Sequence, residues 1–225
     1  MSYGYPAASG LQVANSSISG IYNGQTRPYY IANNYAYNIF RGDLVYLGGD
    51  GFIHSLAEPP AGIGQAYAQL PSLGVFNGCT YEQSTAVNPT DPANPGRPYW
   101  PAGTSIVGNF PYGAPAYIID DPNVIYTIQV DVNGLPWNAV GSTAAALFTL
   151  NGANNQVLGN PLTGQSLMQL QGPGGQTAAN YNLRIIGFDE SPFNNTPLPG
   201  AGPSLYCNAL VLIQNHQYLQ RAVGL

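Results

Sequence analysis

Two histidines, two cysteines and ten carboxylates are the side chains of this 225-residue sequence with acid–base, metal-binding or strongly nucleophilic chemistry. A nucleophile needs a base within hydrogen-bond reach, and His54 and His216 are the only imidazoles on offer. No G-x-S-x-G elbow is present. His54 follows a turn and alternates with Ile53 and Ser55, while His216 sits between Asn215 and Gln217 at the end of the last apolar run. Both read as hydrogen-bonded strand residues. No C-x-x-C or H-x-x-x-H spacing joins histidine and cysteine into a zinc site. The acidic pairs Asp120-Asp121 (before Pro122) and Asp189-Glu190 are adjacent, and strand neighbours point to opposite faces. They do not converge as the two carboxyls of a glycosidase must. Asp120-Asp121-Pro122 reads as a turn closed by a carboxylate on the backbone two residues on, with Ca²⁺ ligation as the competing reading. The expectation is a non-enzyme with no cofactor and no metal.

Aromatic residues carry the other readable chemistry. The two tryptophans stand beside prolines, in Tyr99-Trp100-Pro101 and Pro136-Trp137. Such pairs form stacking platforms or interface anchors, and more commonly lids on a core. With 17 tyrosines in the chain, some must be exposed, and tyrosine with little charge is the composition of an interface centre. The residues expected to make contacts are Tyr3, Tyr5, Tyr22, Tyr29, Tyr30, Tyr99, Trp100 and Trp137.

The charge pattern narrows the partners. Only 7% of residues are charged, against a typical ~25%, and all five cations are arginines under a net charge of −5. Widely spaced arginines give no phosphate-neutralising footprint, so no nucleic acid is expected, and a P-loop lacks its lysine. No apolar run reaches the ~18–20 residues of a membrane span. The opening MSYGYPAASGLQ has neither the basic nor the apolar region of a signal peptide, so synthesis in a cytoplasm is expected, with Cys79 and Cys207 as free buried thiols.

The elements that must hold these residues are strands. Glutamate occurs three times and Gly or Pro interrupts most windows, so helical periodicity is rare. Ala139–Leu150 is the one stretch expected to form a helix of two or three turns. Gly42–Gly48 and Phe52–Leu56 flank Gly49-Asp50-Gly51 as a hairpin, and Val132-Asn133-Gly134-Leu135 carries type I′ turn chemistry. Further strand candidates are Ile63–Gln69, Leu73–Glu82, Ala116–Ile119, Val124–Val132, Gln165–Gln169, Tyr181–Phe188 and Leu205–Leu219. Many short strands with frequent turns predict an all-β fold, a β-sandwich or β-barrel of antiparallel strands. Residues 1–38 read as an extended Tyr/Asn/Gly-rich arm whose loss spares the body, because it lacks apolar periodicity of its own. Residues 39–225 form the β-rich body, with proline-rich loops at 84–98 and 189–204.

Several segments in order resemble small capsid decoration, or cement, proteins of tailed bacteriophages. They are Gly42-Asp-Leu-Val-Tyr-Leu47 with Asp50-Gly51, Gly74-Val-Phe-Asn-Gly-Cys-Thr-Tyr81 and Tyr99-Trp-Pro-Ala-Gly-Thr104. Ala116-Tyr-Ile-Ile-Asp-Asp-Pro122, Ile125-Tyr-Thr-Ile-Gln-Val130 and Val211-Leu-Ile-Gln-Asn-His-Gln-Tyr218 complete the set. The resemblance spans roughly residues 40–220 and carries no catalytic residue. It implies an all-β protein on the virion capsid surface, whose partners are the major capsid protein and itself, a homo-oligomer with a trimer as the expected form. The competing expectation is a receptor- or carbohydrate-binding module of a head fibre or tail tip.

Overall fold

The computed structural model describes residues 8–17, 22–58, 70–81, 97–106, 112–148, 157–172, 181–191 and 194–219. The protein is all-β. In chain order the strands begin with β1 (Gln12–Ser17), β2 (Arg27–Ile31), β3 (Ile39–Phe40), β4 (Leu44–Leu47) and β5 (Ile53–Ser55). They continue with β6 (Gly74–Cys79), β7 (Tyr99–Trp100), β8 (Ala114–Ile119), β9 (Val124–Gln129), β10 (Thr143–Ala144) and β11 (Ala146–Leu147). The last are β12 (Gly159–Asn160), β13 (Gln165–Ser166), β14 (Gln169–Leu170), β15 (Leu183–Phe188) and β16 (Asn208–Ile213).

Two five-stranded antiparallel sheets dominate, one in the order β1-β9-β16-β15-β10 and the other β2-β8-β6-β4-β5. Strand alternation decides what lies between them. Val124, Tyr126 and Ile128 of β9 and Ala209, Val211 and Ile213 of β16 share a buried cluster with Leu44, Val75 and Ile119 of the second sheet. The opposite face of that second sheet is buried too. Val45, Phe76, Ala116 and Ile118 point into a second cluster with Ile31, Tyr35, Ile39, Tyr81 and Trp100. The β2-β8-β6-β4-β5 sheet is therefore the middle layer, covered on its far side by the 31–40 segment and the β3–β7 ribbon.

The hairpin at Gly49-Asp50-Gly51 forms as expected, with Leu47 opposite Ile53 and Gly51 at φ +83°. The candidates 73–82, 116–119, 124–132 and 181–188 coincide with β6, β8, β9 and β15, whereas 63–69 lies outside the described residues. Within 205–219 the strand is confined to Asn208–Ile213, and 165–169 divides between β13 and β14.

Two local expectations are corrected. The Ala139–Leu150 expectation fails over its described residues, 139–148, which hold no helix: a single 3₁₀ turn at Trp137–Ala139 gives way to β10 and β11. Gly141 takes φ +90°, and Ala144 and Ala146 pair with Leu183 and Leu170, so small residues serve close strand packing rather than helix propensity. The Asn133-Gly134 turn is not type I′ either, because only Gly134 has positive φ, at +68°. Asp131 organises it by accepting from Asn133 N (3.0 Å), and Gly134 N closes on Asp131 O (3.1 Å). The chain then runs to a bridge between Leu135 and Ser204, where a Cβ on Gly134 would stand 2.7 Å from Ser204 O.

The segment read as an arm supplies edge strands. β1 pairs with β9 and β2 with β8, and Leu11, Ile31 and Tyr35 are buried in the two clusters. Apolar residues this sparse gave no periodicity, yet Leu11, Ile31 and Tyr35 land on covered faces. Truncation through residue 35 consequently removes core. Of the two proline-rich loops, 84–96 lies outside the described residues. The other is stapled by Asn194, which donates to Asp189 O and accepts from Asn208 N at 2.7 Å.

Candidate functional site

The alternation Arg27-Pro28-Tyr29-Tyr30-Ile31 places Pro28 and Tyr30 on one face of β2 and Arg27, Tyr29 and Ile31 on the other. β2 is an edge strand, where proline is tolerated because it owes no ladder hydrogen bond on its open side. In β8, Ala114, Ala116 and Ile118 face the second cluster and leave Pro115 and Tyr117 on the opposite side, the side on which Ile119 meets the first sheet. The register sets Pro28 opposite Tyr117 and Tyr30 opposite Pro115. The result is a checkerboard of two phenol rings and two pyrrolidine rings, with Tyr112 edge-on to Tyr30 at 6.2 Å. Tyr30, Tyr112 and Tyr117 are 41%, 71% and 37% exposed. No charged side chain belongs to this face of the strand pair.

Around the β2 edge, on the other face, a hydrogen-bonded chain runs from the interior to solvent. Tyr29 Oη donates to the buried Asp120 carboxylate at 2.7 Å and meets Tyr218 Oη at 2.6 Å. Arg27 stands 3.4 Å from the same Asp120 oxygen. Burial, then the bonds to Tyr218 and Asp120, raise the Tyr29 phenol far above its ordinary range, so it stays a neutral donor. Asp121, not Asp120, makes the expected turn, accepting from Asn123 N at 2.9 Å. Among the described residues no group of three His, Cys, Asp or Glu side chains could hold a metal ion.

The histidines are structural in their geometry. His54 Nδ1 lies 2.8 Å from Glu58 Oε2, and its Nε2 lies 3.1 Å from both oxygens of Asp50. Its ring stacks on Tyr46 at 5.2 Å and meets Tyr35 edge-on at 5.4 Å. Burial alone would lower its pKa, but the bonds and charges of Glu58 and Asp50 outweigh burial and raise it. Both ring nitrogens face carboxylates, which clamps the β4–β5 hairpin. His216 is fully buried, with Nδ1 accepting from Tyr218 N at 3.1 Å, and burial lowers its pKa.

The residues expected from sequence to make contacts scatter. Tyr29 and Tyr30 fall on the β2–β8 edge. Tyr22 is half-buried against the inter-sheet cluster. Tyr99 stacks on Phe40 at 5.1 Å, and Trp137, 43% exposed, stacks on Phe188 at 5.9 Å. Tyr3 and Tyr5 lie outside the described residues. Trp100 is corrected: it is 0% exposed, packs edge-on against Tyr81 at 5.0 Å, and offers no surface. Tyr112, Tyr117, Tyr218 and Arg27 were not anticipated. Period-2 alternation across 114–119 was the signal that would have set Tyr117 on the face opposite Ala116 and Ile118. Tyr218 joins only through tertiary contact. No family model, no curated protein and no solved structure matches this chain.

Proposed function

We propose that this chain is a non-enzymatic virion structural protein that binds the outside of a phage capsid shell and stabilises it by clamping neighbouring major capsid subunits. The observation that carries the reading is the uncharged Tyr30–Tyr112–Tyr117 surface, interleaved with Pro28 and Pro115 on the outermost strand pair, β2–β8, of the middle sheet. Rigid rings on a stiff scaffold lose little entropy on docking, and aromatic, charge-depleted surface is what interface centres use. The order of sequence segments that resemble cement proteins supplies the partner. Synthesis in the host cytoplasm and assembly as a homo-oligomer, with a trimer as the simplest closed form at a three-fold site, belong to the same proposal. The protein should copurify with virions in a copy number fixed by shell symmetry. Absence from purified particles would overturn the reading.

One observation favours a second reading, a carbohydrate- or receptor-binding module. The Arg27–Asp120–Tyr29–Tyr218 chain sets planar polar groups beside exposed rings, a combination suited to sugar hydroxyls and ring faces. Saturable tyrosine fluorescence changes with a defined oligosaccharide, lost in Tyr218→Ala, would select this reading over the first.

A further inference from the structure

Exposed large apolar side chains gather on two loops at one end of the first sheet. Residues 130–142 lead from β9 to β10, and residues 194–207 lead into β16. Val132, Trp137 and Val140 on the first loop and Leu198 and Leu205 on the second are 40–67% exposed. Exposed apolar residues scattered singly need no explanation, whereas a group on adjoining loops marks a contact surface. The loops are interlocked: Leu135 N donates to Ser204 O (3.2 Å), and Ser204 N donates back to Leu135 O (3.0 Å). Asp131, itself buried, accepts from Gly172 N at 2.9 Å, and the Trp137 ring is backed by Phe188. Four prolines, Pro136, Pro197, Pro199 and Pro203, stiffen the same segments. A surface so fixed loses little entropy when it docks.

Charge and size select the partner. Residues 132–142 and 194–207 contain no Asp, Glu, Arg, Lys or His. Asp189 and Glu190 precede the second loop, with Asp189 accepting from Ser191 N at 3.1 Å. The carboxylates Asp50, Glu58, Asp120 and Asp121 stand beyond the other ends of β9 and β16, where Val124 follows the Asp120–Asp121 turn and Gln217 bonds Leu47 N of the β4–β5 hairpin at 2.9 Å. In a chain of net charge −5, two copies meeting through these loops hold those four carboxylates apart and press no charge from either loop on the other. Such a contact asks for no opposite charge on the partner. The exposed amides of Asn138 and Asn195 both donate and accept, so each can bond to an identical group. The two loops carry 21 exposed or half-exposed residues, which matches the roughly 20–30 a side of a specific protein interface. A lipid surface fits less well, because no cation on the loops holds a headgroup and the net charge opposes an anionic leaflet.

We propose that these loops join one copy of this chain to another, with Val132, Trp137, Leu198 and Leu205 at the centre of the contact. This contact is the surface of the homo-oligomer proposed above and rests on that reading, though not on a capsid as the partner. The tyrosine surface belongs to the other sheet, so the two contacts use different residues.

Sedimentation equilibrium of the full chain over a wide concentration range tests it with three variants. The wild type should form a closed oligomer that dissociates on dilution. Val132→Glu and Leu198→Glu, one on each loop, bury an unpaired carboxylate in the contact, and each should weaken association at least tenfold. Both side chains are exposed, so each variant should keep the wild-type circular dichroism. Leu219→Glu, at an exposed position beside Tyr218 at the far end, should associate like the wild type. A monomeric wild type, association undiminished in both loop variants, or equal weakening by Leu219→Glu would overturn the proposal. So would flotation of a monomeric wild type with phosphatidylcholine vesicles that is lost in Leu198→Glu, which would give the surface to lipid. Co-sedimentation with undecorated capsids is scored separately. An oligomer that binds no capsid refutes the capsid reading alone, and a monomer that binds capsids refutes this contact alone.

Discussion

Replacing Asp43 by asparagine tests the energetics of the joint between β4 and the β12–β13 hairpin. Asp43 is fully buried, accepts from Phe40 N at 2.7 Å, and takes the hydroxyl hydrogen of Ser166. Those bonds tie β4 to the β3–β7 ribbon and to the β12–β13 hairpin. Burial raises the carboxyl pKa from 3.8 to about 7, against the opposing pull of the Ser166 and Phe40 hydrogen bonds. The folded state therefore holds this proton more tightly than the unfolded chain. Linkage then gives stability that is fully present below the unfolded pKa near 4 and declines as pH rises through the folded pKa, levelling above it. At about 1.36 kcal/mol per tenfold in proton affinity, ionising Asp43 costs at most roughly 4 kcal/mol. Asparagine keeps an acceptor for Phe40 N and presents an amide to Ser166 Oγ, without titrating. Urea denaturation of both proteins from pH 4 to pH 9.5 at fixed ionic strength isolates the effect, since other groups cancel in the difference. The wild type should lose stability relative to Asp43→Asn by up to ~4 kcal/mol between pH 4 and pH 7, with the difference flat above pH 8. A difference that is constant with pH, or that moves in favour of the wild type as pH rises, would refute the reasoning.

Three further outcomes follow from the same structure. His54, with its folded pKa raised by Glu58 and Asp50, contributes stability that is present below about pH 6.5 and lost as pH rises past the folded value. His54→Gln should cost about 0.5–1 kcal/mol at pH 5.5 and little at pH 9 by urea titration; an equal cost at both pH values contradicts the carboxylate clamp. Deleting residues 1–35 removes β1, β2 and the buried Leu11, Ile31 and Tyr35, so the truncated chain should lose its cooperative fluorescence-detected unfolding transition. A sharp transition with the wild-type midpoint would show that these strands are dispensable. Cys79 and Cys207 are free, buried in different clusters, and pushed up by burial to about 12 and about 11, so both stay neutral thiols. Reducing agent should leave the melting temperature unchanged, and a drop of several degrees would reveal a disulfide.

The sequence made the all-β architecture legible wherever an apolar alternation stood between turn residues, as at 42–56 and 124–130. It misled where tertiary packing overrode local preference. The alanines of 139–150 look helical in isolation, but their small side chains are used where β10 and β11 pair closely with neighbours. Residues 1–38 look like an arm because single apolar residues, each covered by a distant element, leave no period to read. For the surface, Tyr29 and Tyr30 were identifiable by type, while Trp100 was not distinguishable from an exposed ring. Its burial depends on Tyr81 and on a bond of 3.4 Å to Tyr35 O, both remote in sequence. Asp120 read as a turn residue or Ca²⁺ ligand for the same reason, since its partners Arg27 and Tyr29 come from another strand.

Co-sedimentation with undecorated capsids tests the central claim most directly, using the wild type and a Tyr30→Ala/Tyr117→Ala double variant over a range of salt concentrations. Both rings are partly exposed and belong to neither buried cluster, so the variant should fold with the wild-type spectrum. The account predicts saturable wild-type binding that persists at high salt, because the surface is uncharged, and at least tenfold weaker binding by the variant. No wild-type binding at any salt, or undiminished binding by the folded variant, would contradict it.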